Sequence, residues 1–398
     1  MKVLIISSCN LPVPAVLGGA VSTLVESIIE QNELQGKMEL TVVSLWCPEI
    51  EKAAGSYPNT RFIFIRVPDI LKKPDAILDR LKNDGKKHDY LRKLYILPYL
   101  KKVLAEGDYD RVVFQNSGYL LRVLKSKALA EKYQGKLYYH LHNVIPSNVP
   151  VDCLKKCRML LISRYLIKGI NALCKEDMER SCTVVKNGFD TELFSSKLSS
   201  EEKQRLLKKL GIAENKKILL FAGRIVKQKG VMELAEAFLS RKRDDAVLLI
   251  VGAVNFGTGD SSDFEKKLTE KLSAAGDRVV FTGFVPYSQM WKYYAVADVA
   301  VLPSMWEEPA GLTMIEAAAA GVPVITTRSG GIREYLPESL ALFIDRDENT
   351  VASIYDAIDE VFNDTKKWKE TAQKAADHVK ANFSKERFYY DFFTALGG

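Results

Sequence analysis

The chain has 398 residues, of which 47% are hydrophobic and 27% charged, with a formal net charge of +7. That length exceeds one ordinary core and suits two domains, and the composition excludes a disordered or fibrous chain. No apolar run approaches the ~20 residues of a membrane span, and the basic excess lacks the dense Lys/Arg tracts of a nucleic-acid binder, so no nucleic-acid partner is expected.

The N-terminal "KVLIISS" reads as a first β-strand: its apolar stretch is too brief for a signal peptide and runs into a turn. A cytoplasmic protein is therefore expected. A glycine pair, Gly18 and Gly19, precedes a helix from about Gly19 to Gln35. Glycines between strand and helix let backbone N–H groups approach an anion at the helix N-terminus. The pattern is not Gly-x-Gly-x-x-Gly, which disfavours a nicotinamide-binding domain. "ELTVVSLW", "TRFIFIRV", "RVVFQN" and "KLYYHLHN" are further strand candidates, with helical stretches between several of them. Such alternation predicts a parallel sheet covered on both faces.

In "YYHLHN" the period of two puts His140 and His142 on one face, with His142 nearer the strand's end and the better candidate for a site. Two stretches, 82–107 and 153–170, mix Lys/Arg with Leu, Tyr and Ile. Each reads either as a helix lying on an anionic membrane or as a core-facing helix with a solvated basic face. A charged segment near 195–217 is expected to be a linker carrying one surface helix.

The alternation then restarts with "ILLFAG", "AVLLIVGA", "DRVVFTG", "DVAVLP", "VPVITT" and "ALFI", and the chain ends in helices over 350–362 and about 366–397. Two doubly wound α/β domains are predicted, with ligands at the carboxyl ends of the strands and the natural site in the cleft between the domains. In "LLFAGRIVKQKG", Arg224 and Lys229 follow a strand end and form a candidate anion site. Near the end, "EEPAGLTMIEAAAAGVPVITT" sets Glu308 and Glu316 on either side of the turn that opens a helix. Thr313 to Glu316 has capping-box spacing, which gives Glu316 a local structural role. The free N–H groups of Leu312 and Thr313, beyond Gly311, would grip a phosphate from the side opposite Arg224 and Lys229. Carboxylates repel phosphate but accept paired hydrogen bonds from vicinal diols. Together these groups describe a nucleotide-diphosphate sugar.

The ordered series "GRIVKQKG", "DRVVFTGFVP" and "YAVADVAVLPSMWEEPAGLTMIEAAAAGVPVITTRSGGIREYL" resembles the retaining glycosyltransferases of family four (glycosyl transferases group 1), which have the GT-B fold of two Rossmann-like domains facing across a cleft. Glu308 and Glu316 match that family's Glu-x7-Glu signature, and "VVKNGFDTELF" and "LGGAVSTLVESI" are similar to two further family stretches. The resemblance implies an N-terminal acceptor-side domain over 1–192, a nucleotide-sugar domain over 193–370, and helices over 371–398 crossing back to the first domain. Arg224 and Lys229 would hold the diphosphate, helped by amides at Gly19 and at Gly311, Leu312 and Thr313. Glu316 would bind the ribose and Glu308 the transferred sugar. His142 would sit near the sugar's reacting carbon, and the base by the loops at Gly252 and at Phe284–Val285. The sequence departs from the family at Ala310, often aromatic, and in the long loop "AVNFGTGDSSD".

The expected activity is metal-independent, retaining transfer of a sugar from a nucleotide-diphosphate sugar, by default a UDP-sugar. The acceptor would be a glycan or lipid-linked hydroxyl in polysaccharide synthesis. No cofactor and no metal is expected; a peripheral membrane contact and a monomer or weak dimer are. The alternatives are a nucleotide-sugar 2-epimerase of the same fold and a non-catalytic nucleotide-sugar binder.

Overall fold

The computed structural model describes residues 1–8, 10–71, 90–240, 243–253 and 263–398. The first part of the basic stretch 82–107 and most of the long loop 253–263 lie outside those residues. The chain divides into two compact units, Met1–Gly188 with Lys385–Gly398, and Phe189–Ser384.

The first unit is built on seven parallel strands: β1 Lys2–Ile6, β2 Glu39–Leu45, β3 Thr60–Ile65, β4 Arg111–Gln115, β5 Leu137–Leu141, β6 Arg158–Leu161 and β7 Cys182–Val184. Their order is β3-β2-β1-β4-β5-β6-β7. All five residues of β5 are buried, as a strand covered by helices on both faces requires. Each fully buried Val, Leu or Ile contributes roughly 1.5–3 kcal/mol by transfer. The helix Ala20–Gln35 packs its Leu24, Val25, Ile28 and Ile29 into the same cluster as Phe388 and Phe392 of the terminal helix Lys385–Ala395. There Tyr389 donates a hydrogen bond to Asn32 Oδ1 at 2.8 Å and Lys385 pairs with Glu30 at 2.8 Å.

The stretch 153–170 is not the single amphipathic helix considered from the sequence. It holds β6, whose Met159, Leu160 and Leu161 are buried in the sheet, and the start of the helix Tyr165–Cys174. Of the other basic stretch, the described part is the helix Tyr90–Glu106, which buries Ile96, Leu100 and Leu104 and exposes Leu94 and Tyr99.

The second unit has six parallel strands: β8 Lys217–Ala222, β9 Ala246–Val251, β10 Val279–Gly283, β11 Val299–Leu302, β12 Val324–Thr327 and β13 Leu342–Ile344, in the order β10-β9-β8-β11-β12-β13. The charged segment before β8 folds as the helix Ser200–Leu210, opened by a capping box between Ser199 and Glu202 and closed by Gly211 with φ 70°. The helix Thr365–Asn382 belongs to this unit: Trp368 is buried in its core, and Lys380 pairs with Glu192 at 2.7 Å. The segment that returns to the first unit therefore begins at Lys385, not at 371.

Candidate active site

In the second unit β9 and β10 extend to one side of β8, while β11 and β12 extend to the other. The carboxyl ends of β8 and β11 thus flank the point where strand order reverses, which is where doubly wound sheets open a crevice. A pocket there is lined by Phe221 and Ala222 of β8, Ser304 after β11, and Lys229, Glu308, Gly311 and Thr313. Four of the residues singled out in the sequence therefore meet at one pocket.

Lys229 closes a single helical turn after β8, Lys227–Lys229, and Gly230 follows with φ 70°. A Cβ on Gly230 would lie 1.9 Å from the Pro303 carbonyl oxygen, so only glycine lets this turn lie so close to the end of β11. The Lys229 ammonium donates to Glu308 Oε1. Glu308 is buried, and its Oε2 accepts from the Trp306 indole N–H and, at 3.4 Å, from the Ser304 hydroxyl. Both carboxylate oxygens are thus held by protein donors. The Glu308 carbonyl accepts from the Gly331 N–H at 2.8 Å, which fixes the backbone as well.

Gly311 caps the helix Leu312–Ala319 with φ 88° and no side-chain hydrogen bond. The first-turn amides, those of Leu312 and Thr313 among them, have no acceptor within the helix by its geometry, and the helix dipole favours negative charge beside them. Arg224 does not line the pocket. It follows β8 after Gly223, is exposed, and its guanidinium has no hydrogen-bond partner among the described residues.

Glu316 departs from the local role its spacing offered. No capping box forms at Thr313, because Gly311 is the cap and Thr313 already lies inside the helix. The Glu316 carboxyl is buried, accepts a hydrogen bond from the Tyr294 hydroxyl at 3.0 Å, and is hydrogen-bonded by the Tyr287 hydroxyl as well. Burial pushes its pKa up to about 7, against the opposing pull of the two tyrosines. Phe194, from the helix Thr191–Ser195, packs on both tyrosine rings with centroids 5.3 and 5.8 Å apart.

Gly252 follows β9 with φ 142°, and a Cβ there would lie 1.9 Å from the Gly223 carbonyl oxygen. This contact holds the end of β9 against the residue before Arg224. Its N–H donates to the Gly283 carbonyl at 3.1 Å, after which Phe284 is exposed and Val285 half-buried. The three expected base-side residues therefore lie at the carboxyl ends of β9 and β10, on the opposite side of β8 from Glu308.

The first unit carries the other two expected elements. Gly18 and Gly19 have φ 72° and 101°, and a Cβ on Gly19 would meet Leu11 Cδ1 at 2.3 Å. His142 follows β5 and is buried. Its Nε2 lies 2.9 Å from Gln115 Oε1, and its backbone N–H donates to Asn116 Oδ1 at 3.0 Å. With the glutamine oxygen as acceptor, Nε2 carries the ring proton. Burial drives the His142 pKa down to about 3, so the ring is neutral at pH 7. The His140 ring lies 4.1 Å from it at a tilt of 43°, close to Phe388 and Phe392 of the terminal helix, with its pKa held well below the ordinary value by burial.

The sequence reading missed Ser304, Trp306, Tyr287, Tyr294 and Gln115. Tyr287 and Tyr294 are seven apart, hence on one helical face, and this is the one signal that could have flagged a pair.

Residues 202–378 match the family model described as Glycosyl transferases group 1. The protein YtcC of Bacillus subtilis (strain 168) is 25% identical over 395 residues, 96% of this chain and 89% of its own. The lipopolysaccharide 1,2-N-acetylglucosaminetransferase of Salmonella typhimurium is 27% identical over 300 residues, 73% of this chain and 74% of its own. The crystal structure of Anabaena Alr3699/HepE in complex with UDP and glucose covers 100% of both chains with a TM-score of 0.72 and 20% identity, a likeness of fold.

Proposed function

The chain belongs to the glycosyl transferases group 1 family and is a retaining glycosyltransferase of the GT-B fold, and from this we propose that it moves a sugar from a UDP-sugar to a hydroxyl of a glycan or lipid-linked acceptor in cell-surface polysaccharide synthesis. The observation that carries this reading is the convergence of Lys229, Glu308 and the Gly311 helix start on one pocket at the strand-order reversal. An ammonium and helix amides suit a diphosphate, and a buried carboxylate between fixed donors suits a sugar hydroxyl. The uridine base is supported by HepE, whose structure holds UDP and glucose. The glycan acceptor is supported by the Salmonella relative named as a lipopolysaccharide N-acetylglucosaminetransferase. No described helix is long and apolar enough to cross a membrane, so a lipid-linked acceptor would be met by peripheral contact.

In the proposed reaction the bond from the anomeric carbon to the diphosphate oxygen breaks, and the acceptor oxygen bonds to that carbon on the same face. The acceptor proton leaves with the nucleoside diphosphate. Lys229 and Arg224 neutralise the departing charge, so that no metal is called upon. Glu308, with both oxygens already held, orients sugar hydroxyls rather than forming a covalent bond. Glu316 is assigned to the ribose, and neutral His142 accepts a hydrogen bond from the transferred sugar. Gly18 and Gly19 are assigned to the phosphates.

The test is a thermal-shift panel of UDP, GDP and their sugars, followed by turnover of the donor that binds. A ligand at 100 times its Kd raises stability by about 2.7 kcal/mol. The Arg224→Ala variant is expected to keep its melting temperature and lose turnover by about a hundredfold, the worth of two charged hydrogen bonds. Full activity in that variant, or no shift with any nucleotide, overturns the reading.

A further inference from the structure

The net charge is unevenly divided. The first unit, Met1–Gly188 with Lys385–Gly398, has 31 Lys and Arg against 21 Asp and Glu, whereas the second has 26 against 29; the total of +7 is thus +10 on one and −3 on the other. Within the first unit the excess concentrates between Arg111 and Lys168, where eleven Lys and Arg face only Glu131 and Asp152.

Several of these cations have structural work. Lys132 donates to the carbonyls of Leu104, Ala105 and Gly107, and Arg111 to that of Leu396. Four others, Lys125, Lys127, Lys155 and Lys156, line one pocket of about 530 Å³, whose wall also includes Gln134, Leu137 and one carboxylate, that of Glu131. Lys125 has no hydrogen bond or ion pair among the described residues. Lys127 reaches Glu131 only at 3.8 Å, with both side chains mostly exposed, a pairing that offsets little of its charge. Lys155 pairs with Glu176 at 3.0 Å, and Lys156 donates to the Leu124 carbonyl at 3.1 Å. Their charges are felt inside the unit: Lys156, Lys125 and Arg122 all oppose the upward push of burial on the Cys153 thiol.

The pocket is not the sheet's substrate crevice. Leu137 is the first residue of β5, and Lys155 and Lys156 just precede Arg158, the first of β6. It therefore opens at the amino ends of these strands, whereas His142 and Gln115 lie at the carboxyl ends of β5 and β4.

We propose that this lysine pocket is a second anion site, which binds a ligand carrying two or more phosphate oxyanions through Lys125, Lys127, Lys155 and Lys156. Lysine is a point charge on a flexible stem and suits clustered phosphate oxygens without a fixed fork geometry. The source of the phosphates is either a lipid headgroup or a soluble phosphorylated molecule, and the two are separated by experiment.

Inorganic pyrophosphate binding to the full chain is measured by calorimetry in the parent, in Lys125→Glu/Lys127→Glu, and in Lys229→Ala. Sedimentation is measured with phosphatidylcholine vesicles with and without phosphatidylglycerol. Lys125→Gln/Lys127→Gln serves as the milder variant, and urea melts verify that each is folded. The parent is expected to bind pyrophosphate at two sites, one weakened about tenfold for each lysine charge removed, the other lost in Lys229→Ala. Loss of binding only in Lys229→Ala, with vesicle binding equal in parent and lysine variants, overturns this proposal and leaves the donor-site reading intact. Loss only in the lysine variants does the reverse. Sedimentation with phosphatidylglycerol that the lysine variants lose assigns the phosphates to a lipid surface; pyrophosphate binding without sedimentation assigns them to a soluble ligand.

Discussion

Lys229 and Glu308 form an ion pair across 79 positions of sequence, their side chains 23% and 10% exposed. The same carboxylate takes the Trp306 indole N–H and the Ser304 hydroxyl on its other oxygen. Removing the ammonium leaves a buried carboxylate one donor short, which is more costly than losing a surface pair. Lys229→Ala is therefore expected to lose about 1–3 kcal/mol of stability in urea melts and about a hundredfold or more in donor turnover. Trp306→Phe keeps an aromatic ring but removes another donor to the same buried carboxylate, so a loss of about 1–3 kcal/mol in urea melts and about tenfold in turnover is expected. Equal turnover in both variants and the parent would show that the pocket around Glu308 is not where the donor reacts.

Gly330 lies behind Glu308 with φ 49°, and a Cβ there would sit 2.1 Å from the Glu308 carbonyl oxygen and 2.9 Å from its nitrogen. The neighbouring Gly331 N–H is the donor to that same carbonyl. Gly330→Ala adds a methyl that the backbone cannot move away from, as well as left-handed strain of about 1–3 kcal/mol. A loss of about 3 kcal/mol or more in urea melts is expected, with donor binding weakened alongside. The control is Gly211→Ala, at φ 70° with nothing within 4 Å of its Cβ, which should cost only the strain. Equal losses at the two sites would refute the close approach.

What the sequence disclosed and what it hid follow from distance along the chain. All six strands of the second unit were readable because each is a short, mostly apolar run such as "AVLLIV", and β8, β9 and β10 also meet a glycine at their carboxyl ends. β6 and β7 were not, since four and three residues beside lysines, arginine and cysteine carry too little period to separate strand from helix. Lys229 and Glu308 were each singled out, but as holders of different ligand groups; their mutual pairing needed the fold. Glu316 was given the wrong local partner. The capping box requires the threonine to be the cap, and Gly311 takes that place two residues earlier. Its true partners, Tyr287 and Tyr294, come from another helix, a relation no local spacing encodes.

His142 and His140 are buried neutral side by side, His142 with a pKa down at about 3. An unfolded histidine titrates near 6.5, so the folded state binds fewer protons over the window between. The stabilising contribution is complete above pH 6.5 and is lost as pH falls toward 3. His142→Gln removes one titrating group, and its acid unfolding should be shallower than the parent's between pH 6 and 4, by about 1.4 kcal/mol per pH unit. Donor turnover should fall in the same variant at pH 7, where the parent ring is neutral. A variant with the parent's full acid slope would show that His142 is not buried neutral.

Glu316 carries the opposite sign. Its pKa is raised to about 7 from the ordinary 4.5, by burial first, while the Tyr294 and Tyr287 hydrogen bonds pull it down. Below pH 4.5 folded and unfolded chains both hold the proton, and the contribution to stability is fully present. As pH rises toward 7 the unfolded carboxyl ionises while the folded one resists, so stability is lost across that window, by about 3 kcal/mol from this group alone. In Glu316→Gln the window closes, and the variant should gain on the parent steadily from pH 4.5 to 7 and no further above it. Tyr294→Phe removes a hydrogen bond to the ionised form, which raises the carboxyl pKa and extends the loss above pH 7. Urea melts of the three proteins at pH 4.5, 5.5, 6.5 and 7.5 separate these outcomes, and a parent-to-Gln difference that stays flat with pH would mean that Glu316 is ionised normally beneath its helix. Because the same carboxyl is assigned to the ribose, UDP affinity should follow the same titration, changing through pH 7 in the parent and not in Glu316→Gln.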